Sequence, residues 1–189
     1  MEIEQSIVQV AERLDAWWER FSAMLDSDDR IAQGKALLQG FEIAKEFDRI
    51  KADGLAAVTA LLVPQNPMTE RDRMEWLVRA FSFAAKLKAT LHDEMRDIDG
   101  ETTVVRQIAV MADELRAVGA YSAFAVLLED EDRRVRASIG AYMLAKHLMP
   151  ERVVPVLQEI EEQKNADNAH FVASWALFRW EHEGKHAEN

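Results

Sequence analysis

A chain of 189 residues with 49% hydrophobic and 30% charged side chains is long enough to bury a sizeable core and too apolar to be disordered over most of its length. Its 34 Asp and Glu against 23 Lys and Arg leave a formal charge of −11. That charge repels phosphate backbones and anionic headgroups over a Debye length of about 8 Å and points towards cationic partners. The absence of cysteine excludes disulfides, thiolate metal sites and a cysteine nucleophile, and fits a reducing compartment.

The opening stretch, MEIEQSIVQVAERLDAWWERF, carries acids where a signal peptide carries a basic segment and an apolar run. No segment approaches the roughly 18 consecutive apolar residues of a membrane span, so the expected location is the cytoplasm. Ile3, Ile7, Val10, Leu14, Trp17, Phe21 and Leu25 recur in steps of four and three, the stripe of an amphipathic helix. Trp17 and Trp18 are about 100° apart on that helix and do not point the same way. Trp18 either widens the buried face beside Leu14, Phe21 and Leu25 or serves as an anchor for a partner, a role that favours Trp.

The acids of DSDD supply N-cap candidates for a second helix over 31–51, which Gly54 is predicted to break before a shorter helix over 55–63. PQNPMTE, with two prolines, ends a first unit of N-terminal helices over 1–66. A connecting helix within 67–101 carries Trp76, Leu77, Ala80, Phe81, Ala84, Leu87 and Leu91 and turns at RDIDGETT, where Asp99 or Thr102 is the expected N-cap. Asp97 to Gly100 is similar to half of a calcium loop, but its first and twelfth positions would be Met95 and Arg106, neither of which supplies the required oxygen. Further helices are predicted over 101–117, 120–129, 132–147, 151–164 and 166–183, with a frayed tail at 185–189. The fold class is therefore all-α, a single domain of about eight to nine helices.

Two internal echoes suggest repeats. IAKEFDRIKADGLAAVTALL from Ile43 and IAVMADELRAVGAYSAFAVL from Ile108 align at a shift of 65, with Gly54 and Gly119 matched where a long helix is expected to hand over to a short one. VRASIGAYML from Val135 and FVASWALFRW from Phe171 share Ala-Ser at a spacing of 36.

The segment LLEDEDRRVRASIGAYMLAKHLMPERVVPVLQEIEE resembles a HEAT-type repeat in its order of parts: Leu127-Leu128, the Asp130 and Asp132 turn, Val135-Arg136, small residues from Ala137 to Ala145, the Met149-Pro150-Glu151 turn, and Pro155 before Leu157. Residues 102–184, with the ending SWALFRWEHEG, look like an uncharacterised group of bacterial HEAT-like domains. The resemblance implies a right-handed α-α superhelix, a solenoid of the HEAT/ARM kind. Within it, Asp132 and Arg136 have the i, i+4 spacing of a surface ion pair, and Pro155 is tolerable if its helix begins near Arg152.

Chemistry-bearing motifs are sparse. His182-Glu183-Gly184-Lys185-His186 spells the H-E-x-x-H pattern of zinc proteases, in which two His share a metal and the Glu serves as base. Gly184 interrupts the helix that would hold them and only three residues follow to supply a third ligand, so a solvated tail is expected instead of a hydrolase. GKALLQG has Ala36 where a P-loop needs Ser or Thr, and no Gly-x-Ser-x-Gly occurs. No catalytic, cofactor or metal residue is assigned. The expected function is a non-catalytic protein-binding module, an immunity or antitoxin type included, that captures a basic partner. Its candidate contacts are the acidic run Glu129, Asp130, Glu131 and Asp132, together with Trp18 and a partly exposed Trp180. A flank of the first helix also offers a homodimer contact. The rival is a DNA-gripping solenoid, because some HEAT-like proteins resemble base-excision glycosylases. It would draw on Arg71, Arg73, Arg79, Lys86 and Lys88, and the net charge opposes it.

Overall fold

A computed structural model describes residues 2–24, 29–62, 68–117, 121–163 and 167–183, and among these every regular element is helical. The eight helices are α1 (Glu2–Met24), α2 (Arg30–Leu62), α3 (Glu70–Met95), α4 (Ile98–Ala117), α5 (Tyr121–Leu127), α6 (Arg133–Ala145), α7 (Pro150–Glu162) and α8 (Asn168–Glu183). None of them is long and apolar enough to cross a membrane.

The sequence signals for helix starts act as capping chemistry. Asp29 accepts from the Ala32 N–H at 2.9 Å, and Thr69 accepts from the Asp72 N–H at 3.1 Å, each satisfying one of the first-turn donors that lack a partner inside the helix. The α3–α4 link is tighter than RDIDGETT suggests. Arg96 takes a left-handed conformation at φ 50°, and the Asp97 N–H bonds back to the Leu91 carbonyl at 3.0 Å, closing α3. The Asp97 carboxylate then accepts from the Gly100 N–H at 3.1 Å, so Asp97 caps α4 in place of Asp99 or Thr102, which lie inside it. Lys51 pairs with the same carboxylate at 3.0 Å and ties the link to α2.

Gly54 does not break α2. A β-carbon there would meet Ile3 of α1 at 3.2 Å and Leu87 of α3 at 3.3 Å, so the missing side chain lets three helices approach while the backbone hydrogen bonds continue. The echo between Ile43 and Ile108 therefore relates the inside of one helix to a segment that runs from α4 into α5, and Gly119 lies outside the described residues. Pro155 is also inside its helix, because α7 begins at Pro150, two residues before the expected start at Arg152. Pro155 is exposed, so the first-turn carbonyl that loses its N–H partner can turn to water.

Helix α3 organises the core. Leu77, Ala80, Phe81, Ala84, Ala85, Leu87 and Leu91 are all completely buried, and burial extends round most of the helix from Ala84 onward. It packs against α1, α2, α4, α5, α6 and α8. Each large apolar side chain withdrawn from water there contributes about 1.5–3 kcal/mol. The other contacts pair α1 with α2, α2 with α4 and α5 with both α4 and α6, and bring α6, α7 and α8 together in a mutually packed trio. Ala137 of α6 and Ala173 of α8, matched by the spacing of 36, are both fully buried, which is what small residues permit where helices lie close.

Candidate functional site

The acidic run forms the connection between α5 and α6, and its four members separate into two kinds. Leu127 and Leu128 are buried, and the Glu129 and Asp130 N–H groups bond back to the Val126 and Leu127 carbonyls at 3.1 and 3.3 Å, which starts the turn. Asp130 accepts from the Asp132 N–H at 2.9 Å and from the Ser82 hydroxyl at 3.4 Å. Asp132 caps α6 by accepting from the Arg134 N–H at 2.9 Å, and the Arg134 guanidinium forks onto both carboxylate oxygens, the shortest contact being 2.6 Å. Burial works to raise the Asp132 pKa. The Arg134 hydrogen bonds and the charges of Arg134 and Lys86 outweigh that effect and hold the carboxyl below its ordinary value. Asp130 and Asp132 therefore build the turn, while Glu129 and Glu131 remain exposed. Glu129 reaches Arg152 at 3.1 Å, a surface pair worth little in net stability.

The turn forms one wall of an open cleft of about 1060 Å³, whose opposite wall is α3. Val78 and Phe83 of α3 and Val126 and Leu127 of α5 supply its apolar lining. Arg79 and Lys86 stand on the α3 side, with Lys86 3.9 Å from Asp132. The cleft thus offers apolar area between two exposed carboxylates and three cationic side chains, of which Arg134 is forked onto Asp132, a pattern that recognises a charged, amphipathic segment.

The five residues considered for a basic groove do not converge. Arg73 is forked onto Glu114 at 2.7 and 2.8 Å and also donates to the Leu62 carbonyl at 2.9 Å. Arg71 is engaged by Glu75 at 3.2 Å, and Lys88 is buried. Only Arg79 and Lys86 of the five line the cleft, opposite acids. The expected Asp132–Arg136 pair is likewise replaced: Asp132 is taken by Arg134, and Arg136 reaches Glu159 of α7 at 3.2 Å.

The tryptophans sit elsewhere. Trp17, half-buried, stacks on Phe21 at 5.3 Å and donates its indole N–H to the Ala36 carbonyl at 2.6 Å, whereas Trp18 is 56% exposed. Trp18 therefore leaves the buried face to its neighbour. Trp180 is half-buried on α8, its ring 5.2 Å from that of His147. Phe171, Trp175 and Phe178 of the same helix are at least half exposed. The acidic turn, Trp18 and Trp180 thus occupy three parts of the surface and line no common cleft.

A buried polar cluster went unrecognised in the sequence. Lys88 of α3 donates to the Asn168 side-chain oxygen at 3.0 Å and lies 3.8 Å from Glu101 of α4. Asn168 donates its amide to Glu101 at 3.4 Å and its backbone N–H to Asp93 at 2.7 Å, while Glu101 also holds the His92 ring at 2.8 Å. Burial lowers the Lys88 pKa against the opposing pull of Glu101 and Asp93, and burial also raises that of Asp93. With Lys88 7% and Asn168 2% exposed, these groups satisfy one another and lock α3, α4 and α8 together. One signal was available: Lys88 follows Phe81 and Ala84 by seven and four positions and precedes Leu91 by three, on the apolar stripe of α3.

Among the described residues no group of three or more His, Asp or Glu is arranged to hold a metal ion. His182 lies on α8, its Nδ1 2.7 Å from the Phe178 carbonyl and its ring 4.1 Å from that of Phe178. Gly184, Lys185 and His186, the remainder of the zinc-like motif beyond Glu183, fall outside the described residues. Comparison with known proteins returned no matching family model, no matching curated protein and no matching solved structure.

Proposed function

We propose that the chain is a non-catalytic protein-binding module, a cytoplasmic stack of helical hairpins of the HEAT type that captures a basic partner in the cleft between α3 and the α5–α6 turn. The observation that carries this reading is the exposed pair Glu129 and Glu131 beside apolar lining, on a turn fixed by Asp130 and Asp132. Two carboxylates carried on a fixed turn, one of them shared with Arg152, steer a cationic segment at low ionic strength. The stacked arrangement is supported by the succession of contacts from α1 to α3, α3 to α6 and α6 to α8, and by the matched buried Ala137 and Ala173. An immunity or antitoxin role is the specific case that a strongly acidic small protein suits, with a basic nuclease as its complement.

The test is affinity capture from lysate of the source cells with the tagged protein, read by mass spectrometry, beside a Glu129→Lys/Glu131→Lys variant whose turn-forming aspartates are intact. A stoichiometric basic partner that the variant loses, with affinity falling steeply as salt rises, is the expected result. A partner indifferent to the double substitution, or none, removes the acidic cleft as the binding surface.

A further inference from the structure

The cleft between α3 and the α5–α6 turn carries charge on both walls, and the two signs are kept apart. On α3 the lining residues Val78, Arg79, Ser82, Phe83 and Lys86 share one helix face, which places Arg79 and Lys86 two turns, about 10.5 Å, apart along that wall. Lys86 is answered in part by Asp132 at 3.9 Å. Arg79 is exposed and, among the described residues, forms no ion pair. On the facing wall Glu131 is likewise exposed and unpaired among the described residues, and Glu129 shares its charge with Arg152. Val78 and Phe83 are half-buried and Val126 is 62% exposed, so apolar surface lies open between the two walls.

Backbone chemistry decides the form of a protein segment that fills such a cleft. The regular elements lining it, α3 and α5, are helices whose backbone groups are satisfied internally, so they present no strand edge for an extended chain to pair with. A segment buried between them has to satisfy its own N–H and C=O groups, which a helix does. Charge then decides which helix. A molecule of net charge −11 attracts every polybasic chain from a distance, so selection among them falls to a cation at the contact itself. Arg79 is such a cation: it opposes a helix that is basic all round and favours one with an acid on that side.

We propose that the occupant of this cleft is an amphipathic helix of a partner protein with charges of opposite sign on its two flanks. Lys or Arg on one flank meets Glu129 and Glu131, Asp or Glu on the other meets Arg79, and the apolar stripe between them lies on Val78, Phe83 and Val126. This inference rests on the reading of the cleft as the capture surface and adds the form and charge pattern of what is captured. Arg79 is then a specificity residue, rejecting the uniformly basic segments that the acidic molecule draws in.

The probe is a displayed library of helical peptides with a fixed leucine stripe and flank positions drawn from Lys, Glu and Ala, selected for binding to the full chain. Clones with Lys on one flank and Glu on the other are expected to be enriched about tenfold over clones with Lys on both. Arg79→Glu, its fold checked by circular dichroism, should turn the selection towards Lys on both flanks. Glu129→Lys/Glu131→Lys should turn it towards Glu on both. The two readings fail separately. Selection of Lys on both flanks that Arg79→Glu leaves unchanged and Glu129→Lys/Glu131→Lys abolishes overturns the mixed-charge helix and leaves capture of basic segments standing. Selection indifferent to Glu129→Lys/Glu131→Lys, or no enrichment at all, overturns both. The proposal is also overturned if sedimentation finds a dimer that Val126→Glu dissociates, because a second copy would then occupy the cleft.

Discussion

Gly34 and Gly40, six residues apart in α2, respond to the same substitution with opposite sign. A β-carbon at Gly34 meets no heavy atom within 4 Å, so Gly34→Ala should stabilise the protein by about 1 kcal/mol through helix propensity alone. A β-carbon at Gly40 would collide with the Trp17 indole, which its hydrogen bond to Ala36 prevents from turning away. Gly40→Ala should therefore destabilise by about 1–3 kcal/mol despite the same propensity gain, and urea denaturation of the two variants distinguishes them. Two charged residues carry pH dependence. The Asp132 carboxyl titrates below 3.8 when folded, so its contribution is complete above 3.8 and is lost as pH falls through the folded value. Asp132→Asn keeps a competent cap and should flatten the acid side of the stability profile. For Lys88 the sign is the reverse of a surface lysine paired with an acid. Its folded pKa lies below 10.5, so between that value and 10.5 the unfolded chain holds the extra proton and stability rises with pH. Lys88→Met should lose that alkaline rise. The sequence made such residues visible as types but not as partners. Arg136 looked paired with Asp132 by helical spacing, and it was a third residue, Arg134, whose reach back to the cap decided otherwise.

At the scale of elements, α8 depends on its first residue. Asn168 connects the start of that helix to Asp93, Glu101 and Lys88, so Asn168→Ala, which keeps the backbone bond to Asp93, leaves the buried Lys88 without its amide acceptor and should cost about 1–3 kcal/mol. Hydrogen exchange should report it as faster exchange along α8 than along α3. The helices themselves were largely legible, because a 3.6-residue period with flanking acids, glycines and prolines marks where helices run and stop. The errors fell where a residue's local preference was overridden by packing. Gly54 reads as a breaker in isolation, yet Ile3 and Leu87 need the space that its missing side chain leaves. Asp97 caps α4 because the left-handed Arg96 shortens the link to two residues, a conformation that no residue in RDIDGETT announces. Of the candidate site, the acidic turn was legible as charge, but its division into two structural and two exposed carboxylates depends on Ser82 and Arg134, which only the fold brings near.

For the whole molecule, a net charge of −11 stores self-repulsion that counterions relieve. Raising the salt concentration from low ionic strength to about 0.15 M should therefore raise the melting temperature, since screening acts over about 8 Å between exposed acids and far less on enclosed pairs such as Lys88 and Glu101. A flat or falling response would mean that the surface ion pairs outweigh the excess of acids. The 33 residues of α2, about 50 Å at 1.5 Å per residue, have a different consequence. Its first half holds Trp17 against Gly40, and its second half places Val58 in the core and Thr59 2.6 Å from Gln107 of α4. The two halves share one uninterrupted angular register. A single residue inserted near Ala52 would swing everything beyond it by about 100° and dismantle the α2–α4 contact, so the residue count of α2 is fixed by what its two ends must meet.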